Sequence, residues 1–267
     1  MTVGDTAVGL TCHILREDPA LAGRLEPAQR ARAIDECVAR TMRVGPGHWD
    51  GEVADDMTGG IGLLILDGLL MRRVGVDGRF GGEVLGSGDL LRPWQGEDAV
   101  PTMSRTTGWR VLEPAHLAIL DRPAADRIAQ FPELTGQLVE RALERSRNLS
   151  LVSAIIHRAR VELRLLMLLW HLAERWGRVR SDGLAVPIRL THRMLADLVA
   201  AGRPTVSTAM AELTRQGLVR PMDRGGWVLL GNPPGTPLEL DQGAISPPRH
   251  RRRAARAANR RSTFGRG

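Results

Sequence analysis

The stretch "LADLVAAGRPTVSTAMAELTRQGLV", residues Leu195 to Val219, carries two helical periodicities separated by a break of small residues. Thr191 suits the N-cap of a first helix that places Leu195, Leu198 and Val199 on one face. Ala196 is small where a crossing helix needs close approach, and Ala200–Gly202 form a short turn. A second helix starts at Arg203-Pro204, because proline is accepted in a first helical turn. Val206, Met210 and Leu213 recur at i, i+4 and i+7 and are expected to be buried, and Gly217 suits the C-cap. The opposite face carries Arg203, Ser207, Thr208, Ala211 and Arg215. Small hydroxylic side chains with an arginine at the N-terminal end suit a helix that enters the major groove, where bulk would clash. "GLVRPMDRGGWVLL" follows, two short strands around a turn at Asp223-Arg224-Gly225-Gly226. Helix, turn, helix, hairpin is the order of a winged helix.

The charge distribution agrees with a polyanion partner for the same half of the chain. The 267 residues carry a formal net charge of +7, and every one of the 37 basic residues is arginine. Residues 1–149 hold 17 Arg against 22 acids, residues 150–230 hold 12 Arg against 6, and residues 249–267 hold 8 Arg and no acid. An acidic half followed by a basic half and an arginine tail points to nucleic acid, with a solvated basic face as the plainer alternative. The absence of lysine removes Schiff-base, P-loop and kinase-type chemistry. The seven histidines show no metal-binding spacing, no GxSxG or Walker A motif occurs, and "GGIG" at Gly59–Gly62 lacks the GxGxxG spacing. The chain is expected not to be an enzyme. Cys12 and Cys37 cannot supply four thiolates to a zinc or iron–sulfur site and read as reduced thiols.

The length suits roughly two domains. Residues 1–48 read as a polar helical segment, with "DPALAGRL" and "EPAQRARAIDECVARTMRV" as candidate helices. Residues 49–131 read as a β domain: short apolar runs are cut at Asp67-Gly68, Val76-Asp77-Gly78 and Gly86-Ser87-Gly88-Asp89, as in an antiparallel meander. "WRVLEPAHLAIL" (Trp109–Leu120) adds a strand and a turn into a short helix, and the spacing favours a small barrel or jelly roll. Trp94 and Trp109 either line a ligand cavity or pack in the core.

Residues 132–157 read as a long helix, in which Leu134, Leu138, Ala142, Leu149, Val152 and Ile156 form a stripe broken at Arg145. That stripe serves either a dimer seam or packing against the β domain of the same chain. Residues 158–231 hold the winged helix, and 232–267 a Pro/Arg-rich tail too polar to order itself. The most apolar run, Leu163–Trp170, is far short of the ~20 apolar residues that span a bilayer. With no signal-peptide pattern at the N-terminus, the expectation is a cytoplasmic protein without a membrane partner.

Over residues 60–231 the chain resembles the Crp/Fnr (cyclic-AMP receptor protein/FNR) family of bacterial transcription regulators. "GLLILDGLLMRRV", "VLGSGDLLRPW" and "VLEPAHLAIL" are similar to its cyclic-nucleotide-binding-type β-roll, and "LLWHLAERWG" with "VPIRLTHRMLADLVAAGRPTVSTAMAELTRQGLVR" to its winged-helix domain. The resemblance implies an α+β fold: an N-terminal β-roll, a long dimerisation helix and a C-terminal winged helix-turn-helix. It further implies a homodimer on a near-palindromic site in double-stranded DNA, with RNA polymerase as a further candidate partner. In the nucleotide-binding members a Gly-Glu pair after the "GD" turn holds the ribose, and an Arg-Ser or Arg-Thr holds the phosphate. Here Arg92-Pro93 stands at the ribose position; Glu97, Arg105 and Thr106 are offset candidates, so neither a cyclic nucleotide nor an iron–sulfur cluster is expected. The family's "SRETV" reads Gly202-Arg203-Pro204-Thr205-Val206, so Arg203 matches the guanine-reading arginine while Pro204 replaces a base-contacting Glu. The DNA-contacting set is Arg203, Thr205, Ser207, Thr208, Thr191, Arg215 and Arg224. Two alternatives are an effector-sensing or adaptor module without specific DNA binding, and non-specific nucleic-acid binding by the Arg-rich tail.

Overall fold

The computed structural model describes residues 6–53, 57–94, 103–223 and 225–235. Its N-terminal part is an antiparallel roll in which strand β1 (Thr6–His13) pairs with β2 (Val38–Val44). The sheet continues through β7 (Thr106–Leu120), β4 (Gly62–Val76) and β5 (Arg79–Gly86). Short β3 (Gly47–Trp49) pairs with β7, and β6 (Leu90–Leu91) with β4. Residues 1–48 are therefore not the helical segment that their composition suggests. Helices α1 (Ile14–Glu17) and α2 (Pro27–Glu36) are bracketed by strands of the roll, and α2 stops at Cys37. In "VARTMRV" Met42 and Val44 face the roll interior with exposed Arg43 between them, an alternation that is a strand signal but that the adjoining helical pattern masks.

Two other expected breaks lie inside strands. Asp67-Gly68 is a bulge in the 15-residue β4, and Glu113-Pro114 lies within the 15-residue β7 opposite it. Gly68 has φ +96°, and a Cβ there would sit 2.4 Å from the Pro114 carbonyl oxygen. The bulge relieves the ladder where proline has no N–H to give. By contrast, Asp77-Gly78 makes the tight β4–β5 turn, with φ of 49° and 71°.

The continuous apolar run in β4 has a physical reason. Leu63 and Ile65 face the interior of the roll with Trp49, Trp109 and Leu117. Leu64 and Leu66 face outward, under a cover that includes Ile14, Leu21, Ile128 and Leu134. Farther along, Leu69 and Met71 enter a third core shared with the helices of the C-terminal part. A strand buried on both faces loses polar alternation. Trp109 packs edge-on against Trp49 at 5.9 Å, so of the two readings of that residue core packing is what the fold displays.

Helix α3 (Arg122–Ala129), capped by Asp121, leads into α4 (Pro132–Ile156). The stripe read along α4 does not run as one face. Leu134 and Leu138 are buried against the roll, whereas Ala142 and Leu149 are exposed. Arg141 and Arg145 take the inward positions instead. Arg141 makes a two-pronged ion pair with Asp18, and Arg145 grips Glu83 at 2.6 and 3.0 Å while donating to the Leu90 carbonyl at 2.7 Å. Burial works against the Arg145 charge, but the hydrogen bonds and charge of Glu83, with Asp89 nearby, outweigh it and raise its pKa above the ordinary value. Removing one partner of such a pair leaves the other charge in a poorly solvated place. Arg145→Ala is expected to lower unfolding free energy by roughly 3 kcal/mol, read by urea denaturation.

Candidate nucleic-acid interface

After α4 the chain breaks at His157–Arg160 and enters α5 (Val161–Trp176), whose Leu165, Leu168, Leu169 and Leu172 are buried. A hairpin of β8 (Arg178–Arg180) and β9 (Gly183–Val186) follows; the sequence reading missed it, although Asp182-Gly183 is a turn signal. Helix α6 (His192–Leu198) is capped by Thr191, whose hydroxyl accepts from the Met194 N–H at 3.3 Å. Helix α7 (Arg203–Arg215) crosses it, burying Val206, Ala209, Met210 and Leu213. It ends in a Schellman motif: Gly217 has φ +69°, its N–H reaches the Thr214 carbonyl, and the Leu218 N–H reaches that of Leu213. The wing is the pair β10 (Val219–Pro221) and β11 (Trp227–Leu229), and β11 also pairs with β9.

The turn between α6 and α7 holds Ala200 at φ +51°, in the left-handed region. Arg164 of α5 reaches the Val199 and Ala200 carbonyls at 3.3 and 3.5 Å, binding the turn to the helix behind it. An alanine there costs on the order of 1 kcal/mol against glycine.

The expected contact residues are placed unevenly. Arg203, Thr205 and Thr208 are exposed on α7, and Arg203 has no carboxylate partner among the described residues. Ser207 is half-buried and already engaged: its hydroxyl donates to the Arg203 carbonyl at 3.1 Å and meets His192 Nδ1 at 2.9 Å. With its single proton given to Arg203, Ser207 accepts from an Nδ1–H of His192. Thr208 donates to the Pro204 carbonyl at 3.3 Å. Arg215 is held bidentately by Glu212 at 2.6 and 2.8 Å. Hydrogen bonds from Arg215 and Gln216 pull the Glu212 carboxyl down to about 2, so this pair persists in mild acid. Arg224 and Glu97 lie outside the described residues. Arg105 and Thr106 are exposed at the start of β7, away from any described cavity.

Two arginines escaped the sequence reading. Arg189 lies under the wing turn, where a Cβ at Gly225 would meet its side chain at 2.9 Å, and Arg193 is in the first turn of α6. Both are exposed and, like Arg203, without a carboxylate partner among the described residues. The arginine pair in "IRLTHR", which runs into the first turn of the first helix, was their only signal. Cys12 and Cys37 are set by burial first, and by Glu17 and Glu36 respectively, at a pKa of about 11, so both remain thiols at neutral pH. Among the described residues no cluster of His, Cys, Asp or Glu could hold a metal ion, and no helix is long and apolar enough to cross a membrane.

Replacing Ala200 by glycine is expected to stabilise the chain by about 1 kcal/mol, visible as a higher urea midpoint at unchanged slope.

Residues 163–235 match the Crp-like helix-turn-helix domain model. Among solved structures, a cyclic nucleotide-binding domain containing protein from Listeria monocytogenes superposes with a TM-score of 0.56 at 14% identity, over 70% of this chain and 87% of that one. FixK2 from Bradyrhizobium japonicum gives 0.53 at 17% identity, over 72% and 93%. A CRP-family transcriptional regulator from Thermus thermophilus gives 0.50 at 21% identity, over 71% and 91%. These likenesses establish the fold. No curated protein matches the chain. In chain order the protein thus carries a roll like that of cyclic-nucleotide-binding domains, a long helix and, over residues 163–235, a Crp-like helix-turn-helix domain.

Proposed function

We propose that this chain is a sequence-specific DNA-binding transcription regulator, working as a homodimer on a near-palindromic site. The observation that carries the reading is the set of exposed guanidiniums of Arg189, Arg193 and Arg203 around α7, none with a carboxylate partner among the described residues, with Thr205 and Thr208 on the open face of α7. Arg203 reads a guanine edge in the major groove, while Arg189 and Arg193 hold phosphates on either side. Ser207 serves the protein rather than the base, because its hydroxyl ties the start of α7 to His192. No catalytic role is assigned to any residue.

Dimerisation falls to the outward face of α4. Val139 and Leu143 are more than half exposed, and Ala142, Ser146, Ser150 and Ala154 continue that face with small side chains that allow close helix approach. A two-fold dimer would present two copies of α7 to a symmetric duplex. Leu143→Glu is expected to shift the chain toward monomer in sedimentation velocity, and an unchanged dimer would remove α4 from the interface.

The proposal for the roll is that it takes no cyclic nucleotide. Pro93 offers neither charge nor N–H where a ribose-binding Glu would stand, and Trp49, Trp109 and Met42 fill the roll interior.

On the duplex bound best by the wild type, Arg203→Ala is expected to lose ~1–3 kcal/mol of specific affinity with a smaller change on random duplex. Ser207→Ala should lose much less. Equal losses on both duplexes, or none, would remove Arg203 as the reader; anisotropy titrations at fixed salt decide it.

A further inference from the structure

We propose that the cavity between the bulged strand pair of the roll and the end of α5 is a binding site for a free α-amino acid with an apolar side chain. The cavity has a volume of about 340 Å³, within the roughly 300–1,000 Å³ of small-molecule pockets. Leu69 and Glu113, partners in the β4–β7 ladder, form its roll side. Trp176 at the end of α5, Arg178 at the start of β8, and Pro187 and Ile188 after β9 form the other side. None of the described lining comes from α4 or from the α6–α7 pair.

The charges decide what fits. Glu113 is half-buried and Arg178 exposed, and neither makes a hydrogen bond or ion pair among the described residues. A carboxylate partly withdrawn from water without a counter-charge is unfavourable, so Glu113 gains from a cationic partner. Arg175 also lines the cavity but is committed elsewhere, to Asp89 at 2.7 Å and to the Ser87 carbonyl at 2.7 Å. Its guanidinium lies over the Trp176 ring at 4.8 Å and steadies that wall.

One open negative group and one open positive group therefore share a cavity without meeting each other. A simple anion is repelled by Glu113, a simple cation by Arg178, and an uncharged molecule leaves both unmet. A molecule that carries an ammonium and a carboxylate satisfies both: the ammonium donates to Glu113, and the carboxylate accepts from the Arg178 fork. Buried Leu69 and Ile188, with Pro187 and the Trp176 ring, offer apolar surface to the rest of the ligand. An α-amino acid with a hydrocarbon side chain is the smallest molecule that combines these three parts.

Binding is read on the full chain without DNA, so this inference stands or falls apart from the DNA-binding one. Calorimetric titration with L-phenylalanine and with L-leucine should show saturable binding of at least one of them, at one site per chain. The N-acetyl derivative of the bound amino acid lacks the ammonium and the amide derivative lacks the carboxylate; each should bind roughly tenfold or more weakly. Glu113→Gln and Arg178→Gln should each weaken the free amino acid by a similar factor. Neither side chain has a partner to lose among the described residues, so both variants should melt close to the wild type. Absence of saturable binding by both amino acids, undiminished binding of either derivative, or undiminished affinity in either variant would overturn the proposal. So would a matched loss of thermal stability in the two variants that the double variant does not exceed, because the two groups would then serve each other.

Discussion

The grip of Arg145 on Glu83 fixes the relation between the long helix and the roll. Glu83 is 9% exposed, accepts two hydrogen bonds from Arg145 on α4 and ion-pairs with Arg72 on the neighbouring strand. A buried carboxylate with a single partner is weakly favoured at best, since desolvation can exceed the Coulombic gain. Here the Glu83 carboxylate has two guanidinium partners, and Arg145 spreads three hydrogen bonds over that carboxylate and the Leu90 carbonyl. Apolar contacts tolerate sliding by a fraction of a residue, whereas a fork of two bonds does not. With Arg141 one turn earlier on Asp18, the helix has one register against the roll. The outward face, Val139 to Ala154, is thereby left for another surface.

The same device recurs toward the C-terminal part. Arg73 pairs with Asp197 on α6 while its guanidinium stacks on Phe80 at 3.3 Å. Leu69 and Met71 of β4 share a core with α5, α6 and α7. Gly82 completes the junction, because a Cβ there would stand 2.8 Å from Met71 and 3.3 Å from Leu198. The helix-turn-helix is thus packed on the hairpin of the roll by apolar burial and one charge pair. Such a junction holds α6 and α7 in a defined orientation against the roll.

The helix-turn-helix was legible in the sequence because its signals are local. Thr191, Pro204 and Gly217 mark ends, and the spacing of Val206, Met210 and Leu213 marks a buried face. The first strands were not legible, because "VARTMRV" alternates only after a helix that shares its arginines and alanines. Asp67-Gly68 misled for another reason: the same dipeptide serves a turn or a bulge, and only the partner strand, with Pro114 opposite, decides. The α4 stripe failed at Arg141 and Arg145, since charge periodicity gives no sign of a buried partner far along the chain. Within the interface, Ser207 looked like a contact by its position; the hydroxyl is taken up by His192 and Arg203, which no spacing rule reveals. Arg189 and Arg193 were passed over because Arg189 precedes the helix pair and Arg193 sits in the first turn of α6, off the open face of α7.

The central claim is that the winged helix reads DNA sequence. The most direct measurement is selection from a random duplex pool at near-physiological salt, using the full chain and a version ending at Ile245. Enrichment of one two-fold-symmetric site by both proteins is the predicted result, with the basic tail changing affinity but not the site chosen. No enrichment by either, with binding that vanishes when the tail is removed, would contradict it.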